Sequence, residues 1–378
     1  MKIGVPKETK EGENRVALNP GTVKQLKDKG FEVLVEEDAG FNSTFSNRHY
    51  RNTEVELVTD ANQIYTECDV ILKVNAPELN EIALMKKDSV LISFMYPLTE
   101  FDIVDACAKQ GISSFAMDMV PRISRAQKMD ALSSQTNLAA YKAILLGSNA
   151  LKKVFPLLMT AAGTIKPAKV MIFGAGVAGL QAAATAKRLG AIVEVTDIRP
   201  ETKEQVESLG AKFIEVEGDD SLKTEGGYVK EVSEEFLEKQ KELVAKHVSE
   251  ADLVITTALV PGKKAPVLIT KEMVQSMHLG SVIVDMAVEQ GGNCELSEMN
   301  KTVLKNGVTI IGESNLASLL PLNSSQMYAK NISELLLHLA DKDGFKWEMD
   351  EEITQGSLIT HKGEIVHPRV KKALQPQT

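Results

Sequence analysis

Residues Val170 to Asp197 read VMIFGAGVAGLQAAATAKRLGAIVEVTD. A strand-like apolar run leads into Gly174, Gly176 and Gly179. A small-residue helix follows, and a second apolar strand ends on Asp197. Each segment has a physical task in holding a dinucleotide. Gly174 permits the tight turn off the strand, Gly176 lets the backbone approach a pyrophosphate, and Gly179 lets helix and strand pack closely. The helix N-terminus offers free N–H groups and the positive end of its dipole to phosphates. Asp197, about 20 residues on, can accept hydrogen bonds from an adenosine ribose diol. Its charge opposes a 2′-phosphate, so the pattern favours NAD(H), a preference that Arg199, two residues on, softens. A glycine triplet alone is a weak signal; strand, helix and terminal acid together make it specific. The run is about as long as the shortest membrane spans. Three glycines, Gln181, and Lys169, Lys187 and Arg188 on its flanks argue against that reading.

The whole chain is consistent with this stretch. Its 378 residues suggest about two domains. The 43% hydrophobic and 25% charged residues are an ordinary globular balance. A net charge of −9 argues against nucleic acid, whose phosphates demand a basic face. Cys68, Cys107 and Cys294 are too few and too scattered for a disulfide framework or a zinc cluster, which suits a reducing cytosol. The N-terminus reads as a first strand rather than a charged-then-apolar leader, so no signal peptide is expected.

The predicted fold class is α/β: two Rossmann-like, doubly wound parallel sheets with a cleft between them. In the first half, candidate strands at 3–5, 32–35, 70–74, 90–92 and 114–116 alternate with candidate helices at 21–29, 61–66 and 100–109. In the second, strands at 170–173, 192–196, 212–214, 253–256, 282–285 and 309–311 make six parallel strands. A helix over 137–153 links the domains, and another over 326–340 returns the chain. A tail hairpin is expected around Lys362-Gly363. The predicted division is 1–136 with 325–378 as one domain and 137–324 as the nucleotide domain.

Several segments could carry chemistry. Between Pro121 and Gln135 the chain is densely polar. Arg122 can donate to a nicotinamide carboxamide, Asp130 can accept, and Gln127 and Ser133 can do either. The competing reading is a solvated loop in which Asp130 or Ser133 caps the next helix. Residues 218–232 form a polar insertion with a Gly226-Gly227 hinge beside Tyr228, read either as an exposed loop or as a lid over the nucleotide. Thr256 to Gly262 follows the fourth strand and is placed to touch a ribose. Lys7, Glu8, Arg15 and Lys73 could meet a carboxylate substrate, although surface pairing is the commoner fate of such residues. None of the six histidines falls in these segments, and no metal-ligand spacing or nucleophile elbow occurs. Oxidising an alcohol or amine calls for a general base beside the hydride. Hydride exchange between two nicotinamides moves no proton at the reacting carbon and needs only proximity, orientation and water exclusion.

These residues resemble a known family. From K-I-G-V-P-K-E to I-V-H-P the chain is similar to the soluble NAD(H)-binding alpha component of proton-translocating NAD(P) transhydrogenases (the Si-Re, B–A-specific type). The most specific pieces are Arg122 to Gln135, G-A-G-V-A-G-L-Q-A, T-K-E-Q-V-E-S-L-G and T-T-A-L-V-P-G. The resemblance implies a split alpha subunit that binds NADH in the second domain. It implies Arg122, Gln127, Asp130 and Ser133 at the nicotinamide end. Gly174, Gly176, Val177, Gly179, Asp197, Ile198, Arg199, Gly227, Tyr228, Gln240 and Leu259 are the candidate cofactor contacts. It further implies no metal, a homodimer, and two partners: a membrane-spanning subunit that moves protons and a subunit that binds NADP(H). The chain would then lie on the cytoplasmic face of the cell membrane, held there through those partners. Alanine dehydrogenase is the related alternative. That family shares Arg15 and Lys73, which there hold the substrate carboxylate. It expects a histidine where this chain has Tyr96 and an aspartate where it has Glu289. A non-catalytic NADH sensor of the same fold is a further alternative.

Overall fold

The computed structural model describes residues 1–215, 234–260 and 262–375, and for 234–240 the backbone only. Internal contacts group the chain into two units, Met1–Leu138 with Ala317–Thr378, and Ala139–Leu316. The boundary after Leu138 falls inside a long helix, Ala131–Ala150.

The first unit opens with six strands: β1 (Lys2–Val5), β2 (Glu32–Glu36), β3 (Glu56–Val58), β4 (Val70–Leu72), β5 (Val90–Ser93) and β6 (Ser113–Ala116). They are all parallel, in the order β3-β2-β1-β4-β5-β6. β4 and β5 are buried along their whole length, which is why they read as unbroken apolar runs. β3 lies at the edge, and of its three residues only Val58 is buried, so it carries no such signal. Sequence reasoning missed it.

After the rest of the helix Ala131–Ala150, the first strands of the second unit form a hairpin, β7 (Leu158–Thr160) and β8 (Gly163–Ile165), whose residues are all exposed. β9 (Lys169–Phe173), β10 (Ile192–Thr196), β11 (Lys212–Phe213), β12 (Leu253–Thr256), β13 (Val282–Asp285), β14 (Lys301–Lys305) and β15 (Val308–Gly312) form its sheet. The order is β11-β10-β9-β12-β13-β15-β14, with the six expected strands parallel. β14 adds an antiparallel seventh strand at the edge that the six-strand expectation lacked. Its sequence, KTVLK, has no apolar run. The turn joining it to β15 is Asn306-Gly307, both at positive φ (51° and 79°), the commonest two-residue hairpin signal.

The chain then returns to the first unit through the helix Pro321–Leu339. A short hairpin follows, β16 (Ala340–Asp341) with β17 (Gly344–Phe345), and then β18 (Leu358–His361) and β19 (Glu364–Ile365). β18 pairs antiparallel with β6, so the tail hairpin extends the first sheet rather than standing alone. Ser114 and Thr360 join hydroxyls across that seam at 2.7 Å. Tyr328, Ile332, Leu335 and Leu336 of the return helix share one core with β1 and β2. Both units therefore carry the same doubly wound order of six parallel strands, the fold class expected from the sequence.

Candidate nucleotide-binding site

In the second unit the order of connections reverses between β9 and β12, which are neighbours. Ligands of open parallel sheets bind in the crevice beyond the carboxyl ends of such a pair. Val170, Met171 and Ile172 of β9 are fully buried, each contributing about 1.5–3 kcal/mol to anchoring the strand. The chain leaves β9 through Gly174 at φ +98°, a left-handed conformation that favours glycine. A Cβ on Gly174 would stand 2.5 Å from the Thr257 hydroxyl, so the turn is sterically closed on that side.

Gly176 caps the helix Val177–Arg188 in extended conformation, with no side chain closing the cap. A Cβ built there meets nothing nearer than Arg199 Nη2 at 3.9 Å, so the face above the helix N-terminus is open. A Cβ on Gly179 would lie 1.7 Å from the Gly174 carbonyl oxygen, which shows how closely the helix crosses the turn. Ala178, Ala182, Ala183 and Ala186 give that helix a buried face of small side chains. The open first turn, free of any capping side chain, fits a pyrophosphate. Val177 begins this turn and is partly exposed, at 39%.

Asp197 follows the end of β10. Its Oδ2 accepts the Ala175 N–H at 2.6 Å, which ties it to the glycine turn. Oδ1 accepts the Arg199 N–H and Nε at 2.9 and 3.0 Å, and Arg199 Nη2 donates to Oδ2 at 2.9 Å. Burial pushes the carboxyl up, but these donors outweigh it and hold Asp197 below the usual aspartate range. Asp197 is thus ionised, and Arg199 is folded back onto it. Ile198 between them is exposed.

The loop after β12 is held from two sides. The Thr257 N–H and hydroxyl both donate to the Phe173 carbonyl, at 3.0 and 2.8 Å. The Asn293 amide takes both backbone groups of Ala258: Oδ1 accepts its N–H at 3.0 Å and Nδ2 donates to its carbonyl at 2.9 Å. Leu259, the next residue, is left 48% exposed. Gly227 and Tyr228, and the insertion around them, lie outside the described residues. Gln240 belongs to the helix Glu234–Ser249, with its side chain outside the description.

The other candidate group lies in the first unit. Asp130 precedes the helix Ala131–Ala150, and its carboxylate accepts the Ser133 N–H at 2.9 Å and the Ser133 hydroxyl at 2.5 Å. It therefore caps the helix, and it brings two of the four candidates together. Arg122 and Gln127 are exposed. The loop carrying them is pinned by the return helix: Asn331 Nδ2 donates to the Lys128 carbonyl and its Oδ1 accepts the Ser134 hydroxyl.

Surface pairing, the commoner fate weighed against a carboxylate contact for Arg15 and Lys73, is not what the fold provides. Both are buried, Lys73 to 1% exposure. Arg15 donates through Nε and Nη2 to Glu13 and through Nη1 to Gln135 at 2.9 Å. Lys73 Nζ pairs with Glu81 at 2.9 Å. The Glu13 carboxyl, pushed up by burial, is pulled down further by Arg15, to about 2. The first unit has its own reversal point, between β1 and β4. There Glu8 turns inward, and its carboxylate accepts the Val74 N–H at 2.6 Å and the Asn75 amide at 3.2 Å. No helix starts directly after β1; the next begins at Pro20.

Two family descriptions cover nearly the whole chain: "Alanine dehydrogenase/PNT, N-terminal domain" matches residues 4–139, and "Alanine dehydrogenase/PNT, C-terminal domain" matches 143–368. The chain belongs to the alanine dehydrogenase/PNT family. Within that family it is 48% identical to the first portion of the NAD(P) transhydrogenase alpha subunit of Rhodospirillum rubrum, over 97% of this chain and 98% of that protein. Alanine dehydrogenase of Bacillus subtilis is 31% identical, over 99% of this chain and 95% of that one. Among solved structures, the transhydrogenase from Sinorhizobium meliloti superposes with a TM-score of 0.89 at 43% identity, covering 97% of this chain and all of that one. An L-alanine dehydrogenase superposes at 0.84 with 29% identity, over 99% of each chain. The resemblance drawn from sequence motifs thus holds, with transhydrogenase alpha subunits matching at higher identity than alanine dehydrogenases. Among the described residues, no helix of this family member is long and apolar enough to cross a membrane.

Proposed function

We propose that this chain is the NAD(H)-binding subunit of a proton-translocating transhydrogenase. It would bind NADH in the crevice at β9 and β12 and present it to NADP⁺ on a partner subunit. A separate membrane-spanning subunit would couple the exchange to proton movement, and the chain would act as a homodimer on the inner face of the cell membrane. The observation that supports this most is the open helix N-terminus at Gly176, flanked by an ionised Asp197, in a chain matched end to end by transhydrogenase alpha subunits.

When bound, NADH supplies a hydride from its dihydronicotinamide ring. The work of this chain's residues is then to hold and orient. The N–H groups of the helix first turn after Gly176 would hold the pyrophosphate, and Asp197 would take the adenosine ribose. Arg122, Gln127, Asp130 and Ser133 offer the donors and acceptors that a carboxamide requires. None of them serves as a base, since direct hydride exchange leaves no proton to remove.

The reading is tested by mixing this chain with an isolated NADP(H)-binding subunit and following hydride transfer from NADH to an NADP⁺ analogue. Tight NADH binding without transfer refutes it. Alanine dehydrogenase is the second reading, favoured by the retained Arg15 and Lys73. Ammonia- and pyruvate-dependent NADH oxidation by the chain alone would support it. NADH-dependent partner binding without turnover in either assay would indicate a sensor.

A further inference from the structure

The segment after β13 contains a buried polar network that the proposed site does not use. Asp285, the last residue of β13, is 0% exposed, and among the described residues no cation pairs with its carboxylate. Five hydrogen bonds reach it instead. Oδ1 accepts from the Thr256 hydroxyl at 3.0 Å, the Ala287 N–H at 3.0 Å and the Asn293 N–H at 3.2 Å. Oδ2 accepts from the Cys294 N–H at 3.0 Å and the Ser297 hydroxyl at 2.7 Å. A buried carboxylate is tolerated only when its lone pairs are filled in this way. The chain must wrap tightly to fill them: Gly292 sits at φ +81°, and a Cβ there would stand 2.7 Å from Asp285 Oδ2.

The product of this wrapping is the placement of one amide. Asn293, also 0% exposed, sends its side chain to both backbone groups of Ala258 and donates further to the Pro266 carbonyl at 2.8 Å. The ladder between β12 and β13 ends at Thr256 and Asp285. Asn293 therefore continues the pairing two residues past the end of β12, where a strand edge would otherwise be bare. Thr257 is fixed on the opposite side by Phe173, next to Gly174. The backbone is locked through Ala258, and the exposed Leu259 leaves it in a set direction.

We propose that Asp285 and Asn293 are positioning residues of the nucleotide crevice: Asp285 folds the segment that presents Asn293, and Asn293 fixes Ala258 so that Leu259 packs against bound NADH. The inference rests on the proposed NAD(H) reading. A pair that only stabilised the fold would influence binding independently of Leu259. A pair acting through Leu259 makes the two effects overlap, and a double-mutant cycle separates these cases.

The experiment is NADH titration of the full chain as wild type, Asn293→Ala, Leu259→Ala and their double variant, with Asp197→Ala alone and combined with Asn293→Ala. Asn293→Ser, small and uncharged, removes the amide and replaces Asn293→Ala if that variant does not fold. The expected result is about tenfold weaker binding for each of Asn293→Ala and Leu259→Ala, about 1.4 kcal/mol each. The double variant should be little worse than either, whereas Asn293→Ala and Asp197→Ala should multiply. Multiplying effects of Asn293 and Leu259, or unchanged affinity in either single variant while Asp197→Ala is weakened, overturns the positioning role and leaves the nucleotide reading standing. No NADH binding by the wild type overturns both.

Discussion

Gly176 and Gly179 stand three residues apart and should fail in opposite ways when a methyl group is added. Gly176 has φ −79° and ψ −167°, which alanine adopts freely, and its Cβ would have no neighbour closer than 3.9 Å. Gly176→Ala should therefore leave the fold intact. Restricting the unfolded chain adds about 0.4–1 kcal/mol, and the preference of the helix N-cap for glycine over alanine opposes it by a similar amount, so the melt should stay within about 4 °C of wild type. The same methyl stands where a pyrophosphate must approach the helix N-terminus. Losing charge-assisted hydrogen bonds there should cost about 1.5–3 kcal/mol, or about 10- to 150-fold in NADH affinity. At Gly179 the added Cβ would meet the Gly174 carbonyl carbon and oxygen at 2.7 and 1.7 Å. Both are backbone atoms, so helix and turn must separate by more than an ångström. Overpacking of this kind costs about 1–3 kcal/mol or more, and Gly179→Ala should melt about 2–12 °C lower. Circular dichroism melts and NADH titrations of the two variants decide the matter. Wild-type NADH affinity in Gly176→Ala, or an unchanged melt in Gly179→Ala, would refute the geometry assigned to the turn.

Other expectations follow from the same contacts. Asp197→Ala should weaken NADH binding by about 1–3 kcal/mol. It also releases Arg199, so NADPH should lose less affinity than NADH; an equal loss for both, by titration, contradicts the assigned roles. Arg122→Ala should slow stopped-flow hydride transfer more than it weakens NADH binding, and wild-type transfer rates would count against that loop. Asp130→Asn should do the same with little change in stability, because asparagine caps a helix about as well as aspartate and keeps an acceptor for the Ser133 N–H. Glu13, held down to about 2, binds fewer protons folded than unfolded. Its stabilisation is present above the ordinary glutamate range and fades as pH falls from about 4.5 toward 2. Denaturant melts between pH 6 and 3 should show this slope in the wild type and a shallower one in Glu13→Gln. At neutral pH that variant should lose about 3–5 kcal/mol by leaving Arg15 buried without its counter-charge.

What could be read in the sequence depended on how local each signal is. The glycine turn was legible because strand, turn, helix and acid are contiguous, and each residue's task is set by its immediate neighbours. Strands β4, β5, β9, β12 and β13 were legible because burial on both faces leaves an apolar run. β3, β7, β8 and β14 were not, since edge or exposed strands need no such run; for β14 the Asn306-Gly307 turn was the available clue. The burial of Arg15 and Lys73 is set by Glu13, Gln135 and Glu81, and the partner Gln135 lies far away in the chain. Nothing near Asn293 announced its hold on Ala258, because those residues are 35 positions apart and meet only in the folded sheet.

The two units present the same strand order, yet only one has a glycine at its reversal point. In the other, no helix starts directly after β1, and the buried Glu8 carboxyl takes the Val74 and Asn75 N–H groups after β4. On the proposed NAD(H) reading, a chain built on two similar scaffolds would take up nucleotide on one of them. Titration should then saturate at one equivalent of NADH per polypeptide, and occupancy would report on the proposed exchange without a second, silent pool of bound cofactor.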